Sequence, residues 1–231
     1  PSITPHYVLR EEELGLMLQH LIDSNSQEQK IFCITGPEGS GKTQLVASFL
    51  QGCQSQYIHS VFVDASSPSN IKADLQTWAR SLGDGHEHDI WEDARNLLAS
   101  GSHQGHWILV FDNADDTSVN LVTFLPKCYS GTIVITSRNK TVGNMAKTYH
   151  LELNRMKPSE ALATLLMAAR RELPIPEPEL ADARKLMEKL NYNPAALTKA
   201  GTYCHQLSST IQGEFQPYTF TQYLNLYFKE K

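Results

Sequence analysis

Residues Ile34–Val46 read ITGPEGSGKTQLV. A small apolar run breaks into glycines, then a lysine and a hydroxyl residue, and turns apolar again. Gly36-Pro37-Glu38-Gly39-Ser40-Gly41-Lys42-Thr43 satisfies G-x-x-x-x-G-K-[ST] in full. Glycines at these positions let the backbone curl until successive N–H groups point at phosphate oxygens, where a side chain would obstruct. The helix that follows adds the positive end of its dipole. Lys42 is then expected to reach the β- and γ-phosphates and the Thr43 hydroxyl to ligate Mg²⁺. Gly36, Gly39, Ser40, Gly41, Lys42, Thr43 and Gln44 are the candidate nucleotide contacts.

Such a loop has meaning only between a strand and a helix, and the chain around it supplies both. Lys30–Gly36, Ser60–Ser66, His106–Ala114, Gly131–Arg138 and Tyr149–Asn154 are short runs rich in β-branched and aromatic residues. Several are continuously apolar, as strands covered on both faces are. Between them lie helix-like stretches at Thr43–Gln51, Asn70–Leu82, Asp89–Ser100 and Val119–Leu125. This alternation predicts the α/β class, a P-loop NTPase parallel sheet with helices on both faces. After Asn154 the pattern becomes helical, with stretches at Lys157–Glu172, Leu180–Leu190, Pro194–Leu207 and Thr219–Lys229, interrupted by the proline-rich LPIPEPE at Leu173–Glu179. The expected organisation is an α/β domain over 1–154 followed by a small all-helical subdomain over 155–231.

A phosphate loop needs an acid at a nearby strand end to hold the metal. In WILVFDNADD the apolar residues Ile108–Phe111 lead to Asp112, at the strand C-terminus where ligands gather in such sheets. Asp112 is expected to orient Mg²⁺ together with Thr43. Its neighbour Asn113 stands where many ATPases carry a second acid to activate water, and an amide cannot accept that proton. Asp115 and Asp116 either substitute for it or cap the next element. Arg138 ends TIVITSR and is suited to contacting the γ-phosphate. Lys42, Asp112, Asn113 and Arg138 are therefore the candidate catalytic group.

Composition sets outer bounds. The chain has 231 residues, 41% hydrophobic and 19% charged, with a formal net charge of −5. No apolar run approaches the roughly 18 residues that span a bilayer, and the mild acidity argues against a large sequence-independent nucleic-acid footprint. Cys33, Cys53, Cys128 and Cys204 form no C-x-x-C pair and read as reduced thiols, which suits the cytoplasm. The start at Pro1 reads as the beginning of a fragment.

In this order the elements resemble the NB-ARC family of STAND nucleotide-switch ATPases, known from plant disease-resistance proteins, apoptosome scaffolds and many fungal proteins. YVLREEEL (Tyr7–Leu14) looks like the family's opening FVGREEEL, which implies base-pocket roles for Val8 and Arg10. SVFVDASS is similar to its second strand, ILVFDNADD to its Walker B segment, and IVITSR to its sensor-arginine strand. LNYNPAALTKAGTYC is similar to the GLPLAL…AGAY segment, whose proline packs on adenine, so the resemblance picks out Pro194. Leu9, Asn191, Asn193 and Ala195 depart from the family pattern. The resemblance implies an ATP- or ADP-bound, Mg²⁺-dependent switch with slow hydrolysis, self-association in the ATP state of a parent protein, and roles in innate immunity or programmed cell death.

Other readings are weaker on chemistry. His86, His88, His103 and His106 lie near Trp91 and Trp107 but lack the paired spacing and carboxylate or thiolate partner of a zinc site. A phosphotransferase would need an acceptor site or basic groove, and neither stands out. A binding-only NTPase is the alternative that Asn113 invites.

Overall fold

The computed structural model describes residues 1–22, 28–83, 85–100, 106–211 and 214–229. These form two compact units. One comprises 1–2, 11–38 and 42–153, and the other 3–10, 39–41 and 154–231.

In the first unit α1 (Glu11–Leu21) precedes β1 (Lys30–Thr35), α2 (Lys42–Gly52), β2 (His59–Asp64), α3 (Pro68–Arg80), α4 (Trp91–Ser100), β3 (Trp107–Asp112), β4 (Thr132–Ser137) and β5 (Tyr149–Glu152). The five strands make one parallel sheet in the order β2-β3-β4-β1-β5. Strand side chains alternate between faces, and each face has its own core. Ile31, Cys33, Val61, Val63, Leu109, Phe111, Ile133 and Ile135 pack with Ile71, Leu75 and Ala79 of α3 and Ala94 and Leu98 of α4. Phe32, Ile34, Ile108, Val110 and Val134 pack with Met17 and Leu21 of α1 and Leu45, Val46 and Phe49 of α2. Two-sided burial is why β3 and β4 lack polar alternation; every residue of both is buried. This is a P-loop NTPase-like fold with helices on both sides of the sheet.

The helix expected over Val119–Leu125 is a correction. Only Leu121–Thr123 forms a turn of 3-10 helix, capped by the Asn120 side chain accepting from the Val122 N–H. Pro126 disfavours the α conformation at Leu125, leaving too few residues for a nucleated α-helix.

The second unit holds α5 (Pro158–Ala168), α6 (Glu177–Lys189), α7 (Pro194–Leu207), α8 (Phe220–Lys229) and a short antiparallel hairpin, β6 (Ser209–Ile211) with β7 (Glu214–Gln216). The hairpin adds to the helices expected from sequence. Leu165, Leu186, Leu197, Cys204 and Phe220 centre its core. Gly201 brings α7 close to α5: a Cβ there would lie 2.6 Å from the Leu165 carbonyl oxygen. Arg171 and Glu179, both largely buried, form a two-pronged ion pair, and Glu179 also accepts from the Phe220 N–H at 3.1 Å. Removing one partner of such a pair leaves an uncompensated buried charge.

Among the described residues no helix is long and apolar enough to cross a membrane. All four cysteines are free thiols. Burial raises those of Cys33 and Cys204 to about 12, so neither is a ready nucleophile.

Candidate functional site

β1 ends at Thr35 and α2 begins at Lys42, so Gly36–Gly41 form the turn between them. Gly39 and Gly41 adopt φ of +71° and +94°, the left-handed region that suits glycine. The Gly36 N–H donates to the Ser137 carbonyl at 3.1 Å, anchoring the start of the loop to the end of β4. The Lys42 side chain bends back over its own loop. Its Nζ donates to the Gly36 and Pro37 carbonyls at 2.8 and 2.9 Å. Burial lowers the Lys42 pKa, against the opposing pull of Asp115 and Asp112. The Ser40 hydroxyl is 2% exposed and has no hydrogen-bond partner. A buried hydroxyl left this way is costly unless something else satisfies it.

Asp112 lies at the end of β3 with 4% exposure. It accepts from the Thr43 hydroxyl at 2.9 and 3.0 Å and from the Thr136 hydroxyl at 2.5 Å. Thr136 in turn accepts from the Asn113 N–H at 3.1 Å. Sequence reasoning missed Thr136; its signal was a hydroxyl directly after the apolar run Ile133–Ile135 of β4. The Thr43 and Asp112 oxygens face each other at α2's first turn, a hard-oxygen pair of the type that holds Mg²⁺ beside phosphate. With the Lys42 ammonium, the donor set fits a Mg²⁺–polyphosphate group. When bound, that ion would neutralise phosphate charge.

Asn113 is exposed, with φ of +62°, a region that asparagine tolerates better than most residues. Arg138 is held by two acids. Its Nε donates to Asp115 at 2.6 Å, its Nη1 to Glu38 at 3.2 Å and its N–H to Asp115 at 2.6 Å, with the side chain 54% exposed. Asp116 accepts from the Ser118 N–H at 2.8 Å. Of the two acids considered as replacements for a second catalytic acid, Asp115 clamps Arg138 and Asp116 caps a turn.

In the second unit the Gly39 carbonyl accepts from the Ala195 N–H at 3.2 Å. A Cβ on Gly39 would lie 2.7 Å from the Ala195 Cβ and 2.9 Å from Asn193 Oδ1. The Pro194 Cγ lies 3.9 Å from the Cβ position of Gly41. Asn193 caps α7 by accepting from the Ala196 N–H, and Pro194 is its first residue, where a missing N–H does no harm. Arg10, largely buried, donates to the Asn154 and Arg155 carbonyls, each at 3.4 Å, and pairs with Glu160 at 3.5 Å. Val8 packs against the helical core. The Gln44 amide donates to the Ser2 carbonyl at 3.4 Å in the first unit.

Among the described residues no group of three His, Cys, Asp or Glu side chains could hold a metal ion. His86 pairs with Asp89 at 2.7 Å, and His103 lies outside the described residues.

Comparison with known proteins extends the geometry. No curated protein matches the chain. Solved structures of similar fold include a STAND protein with a tetratricopeptide repeat sensor from Pyrococcus horikoshii (18% identity, TM-score 0.51, 84% of this chain and 29% of that one). Cdc6p from Pyrobaculum aerophilum is another (15%, TM-score 0.57, 88% and 64%). The Drosophila ORC bound to DNA is a third (14%, TM-score 0.61, 89% and 57%). At these identities the likeness is one of fold, and the chain spans less than two thirds of each of those chains. The family model described as "AAA domain" matches residues 24–141. That match extends over more than half of the sequence, and the chain belongs to the AAA-domain family of P-loop ATPases.

Proposed function

We propose that the chain is the ATP- and ADP-binding switch module of a STAND-type signalling protein, hydrolysing ATP slowly with Mg²⁺. The observation that carries the reading is the waiting donor set in the phosphate loop. The Lys42 ammonium donates to two carbonyls of its own loop, and Thr43 and Asp112 face each other at the helix start. A polyphosphate would draw the Lys42 ammonium, with a cation between Thr43 and Asp112. Gly36, Gly39, Gly41 and Gln44 complete the phosphate side. Val8, Arg10 and Pro194 are the base contacts that the NB-ARC resemblance implies.

The switch follows from differential binding. If Arg138 leaves Asp115 and Glu38 for the γ-phosphate, ATP and ADP stabilise different arrangements of the strand ends, and the ligand shifts the population by that difference. A STAND protein among the structures of this fold supports the assignment, as do the YVLREEEL and NPAALTKAG segments. Self-association in the ATP state, through a parent protein, belongs to the same reading.

The test uses the purified chain. Nucleotide released on denaturation is identified by chromatography, and ATP and ADP affinities are measured by calorimetry with and without Mg²⁺. Lys42→Ala removes a charge-assisted contact of about 1.5–3 kcal/mol, so triphosphate affinity should fall roughly 10- to 100-fold. Asp112→Ala should act mainly on Mg²⁺-dependent binding and turnover. Wild-type affinity in both variants would overturn these roles.

A further inference from the structure

β1 and β4 are neighbours that end together, with Thr35 and Ser137 in register. The segments leaving the two strands therefore meet. The Gly36 N–H donates to the Ser137 carbonyl at 3.1 Å, and two residues further along the loop Glu38 reaches Arg138. Arg138 sits between two acids that are held very differently. Asp115 grips it at two points, accepting from its N–H and from Nε at 2.6 Å each, and is itself fixed by the Ser137 hydroxyl at 3.2 Å. Glu38 accepts from Nη1 at 3.2 Å, with its side chain 85% exposed. A guanidinium offers separate N–H donors along the edges of a planar fork, so the two acids need not let go together. Glu38 is the partner that exchanges readily.

The same stretch of loop engages the other cation of the site. Lys42 Nζ donates to the Gly36 and Pro37 carbonyls. Gly36-Pro37-Glu38 thus holds both positive groups that a γ-phosphate would draw, the ammonium through two neutral carbonyls and the guanidinium through a carboxylate. Of these acceptors only Glu38 is an anion, competing with phosphate for the same charge-assisted bond.

We propose that Glu38 sets the preference between ATP and ADP: its carboxylate is an internal competitor for Arg138, and the γ-phosphate has to displace it. This rests on the switch reading above and names a residue that tunes it. ADP carries no γ-phosphate and leaves the Glu38–Arg138 pair intact, so the free energy of breaking the pair falls on ATP alone. By linkage, the pair lowers ATP affinity relative to ADP affinity by the factor that the pair itself is worth. For an exposed ion pair that factor is about 1.5 to 5. Glu38 therefore biases the competition between the two nucleotides toward ADP without closing the site to ATP.

The experiment titrates the purified chain with ADP and with AMP-PNP, an ATP analogue whose imido bridge resists hydrolysis, by calorimetry in Mg²⁺ at low ionic strength. The quantity compared is the affinity for AMP-PNP over that for ADP, in wild type, Glu38→Gln, Glu38→Asp, Arg138→Gln and the double variant Glu38→Gln/Arg138→Gln. Glu38→Gln should raise the ratio about 1.5- to 5-fold. Removing a carboxylate beside phosphates also relieves general repulsion, which favours the more highly charged nucleotide, and the Arg138→Gln background separates the two causes. There the rise should shrink by more than about half. Glu38→Asp keeps the charge but draws the carboxylate back by about 1.5 Å, beyond hydrogen-bond reach of Nη1, so it should raise the ratio as well. An unmoved ratio in Glu38→Gln, a rise that persists in the Arg138→Gln background, or a wild-type ratio in Glu38→Asp each overturns the proposal. The Glu38→Asp arm decides the matter even if Arg138→Gln does not fold. A wild type that binds neither nucleotide sinks the switch reading itself, whereas binding of both with an unmoved ratio in Glu38→Gln sinks only the part assigned to Glu38.

Discussion

Replacing Thr136 with valine tests the polar wiring beneath the site with almost no change of shape. Thr136 is fully buried. Its hydroxyl donates to Asp112 at 2.5 Å and accepts from the Asn113 N–H at 3.1 Å. A hydrogen bond to a charged group contributes about 1.5–3 kcal/mol, and an orphaned buried donor costs about 1–3 kcal/mol. The extra methyl returns roughly 0.8 kcal/mol through added apolar burial. The net expectation is a loss of about 2–5 kcal/mol, or about 4–20 °C in melting temperature for a chain of this size. Thr136→Ser keeps the hydroxyl and removes one methyl, so it should lose only about 1 kcal/mol. Thermal unfolding followed by circular dichroism compares the two, and Mg²⁺-dependent ATP affinity should follow the same order because Asp112 loses a constraint only in the valine variant. A valine variant that melts at or above the serine variant would refute the assigned bonds.

Two further substitutions probe other parts of the site. Gly39→Ala combines a left-handed φ, about 1–2 kcal/mol for a side-chain-bearing residue, with contacts of 2.7 and 2.9 Å to Ala195 and Asn193, about 1–3 kcal/mol of crowding. Urea unfolding should register a loss of about 2–5 kcal/mol. Adding Ala195→Gly should recover part of it relative to Ala195→Gly alone, and additive effects would argue against the contact. Asp115 supplies a pH signature. Burial alone would raise its pKa, but the Arg138 N–H, the Arg138 guanidinium and the Ser137 hydroxyl outweigh burial and hold it below the ordinary carboxylate value of 3.8. A folded-state pKa below the unfolded one stabilises the protein at pH values above the unfolded pKa, and the effect fades as pH falls through the folded value. Wild type should therefore outlast Asp115→Asn in melting temperature at pH 5–7, with the gap closing below about pH 3.8. A gap that persists unchanged in acid would remove the Asp115–Arg138 pair as its cause.

Some of this protein was legible in its sequence because the physics involved is local. The phosphate loop needs glycine where φ is positive and small residues where backbone approaches phosphate, so Gly39, Gly41, Lys42 and Thr43 appear as a contiguous string. Strands buried on both faces need uninterrupted apolar runs, which is why β3 and β4 stood out. The Val119–Leu125 expectation failed where apolar spacing suggested a helix that Pro126 leaves too short.

What remained hidden depends on which strand lies beside which. The alternation of strands and helices is compatible with several strand orders. Only the order β2-β3-β4-β1-β5 sets Thr136 of β4 against Asp112 and brings Asp64 beside it in register. Likewise, only the folded chain unites Gly39–Gly41 with Asn193–Ala195 in one compact unit. Sequence alone determined the local chemistry, a loop shaped for phosphate and an acid at a strand end. Tertiary structure decided which side chains that chemistry can use, because hydrogen bonds act over about 3 Å and residues far apart along the chain come that close only through packing.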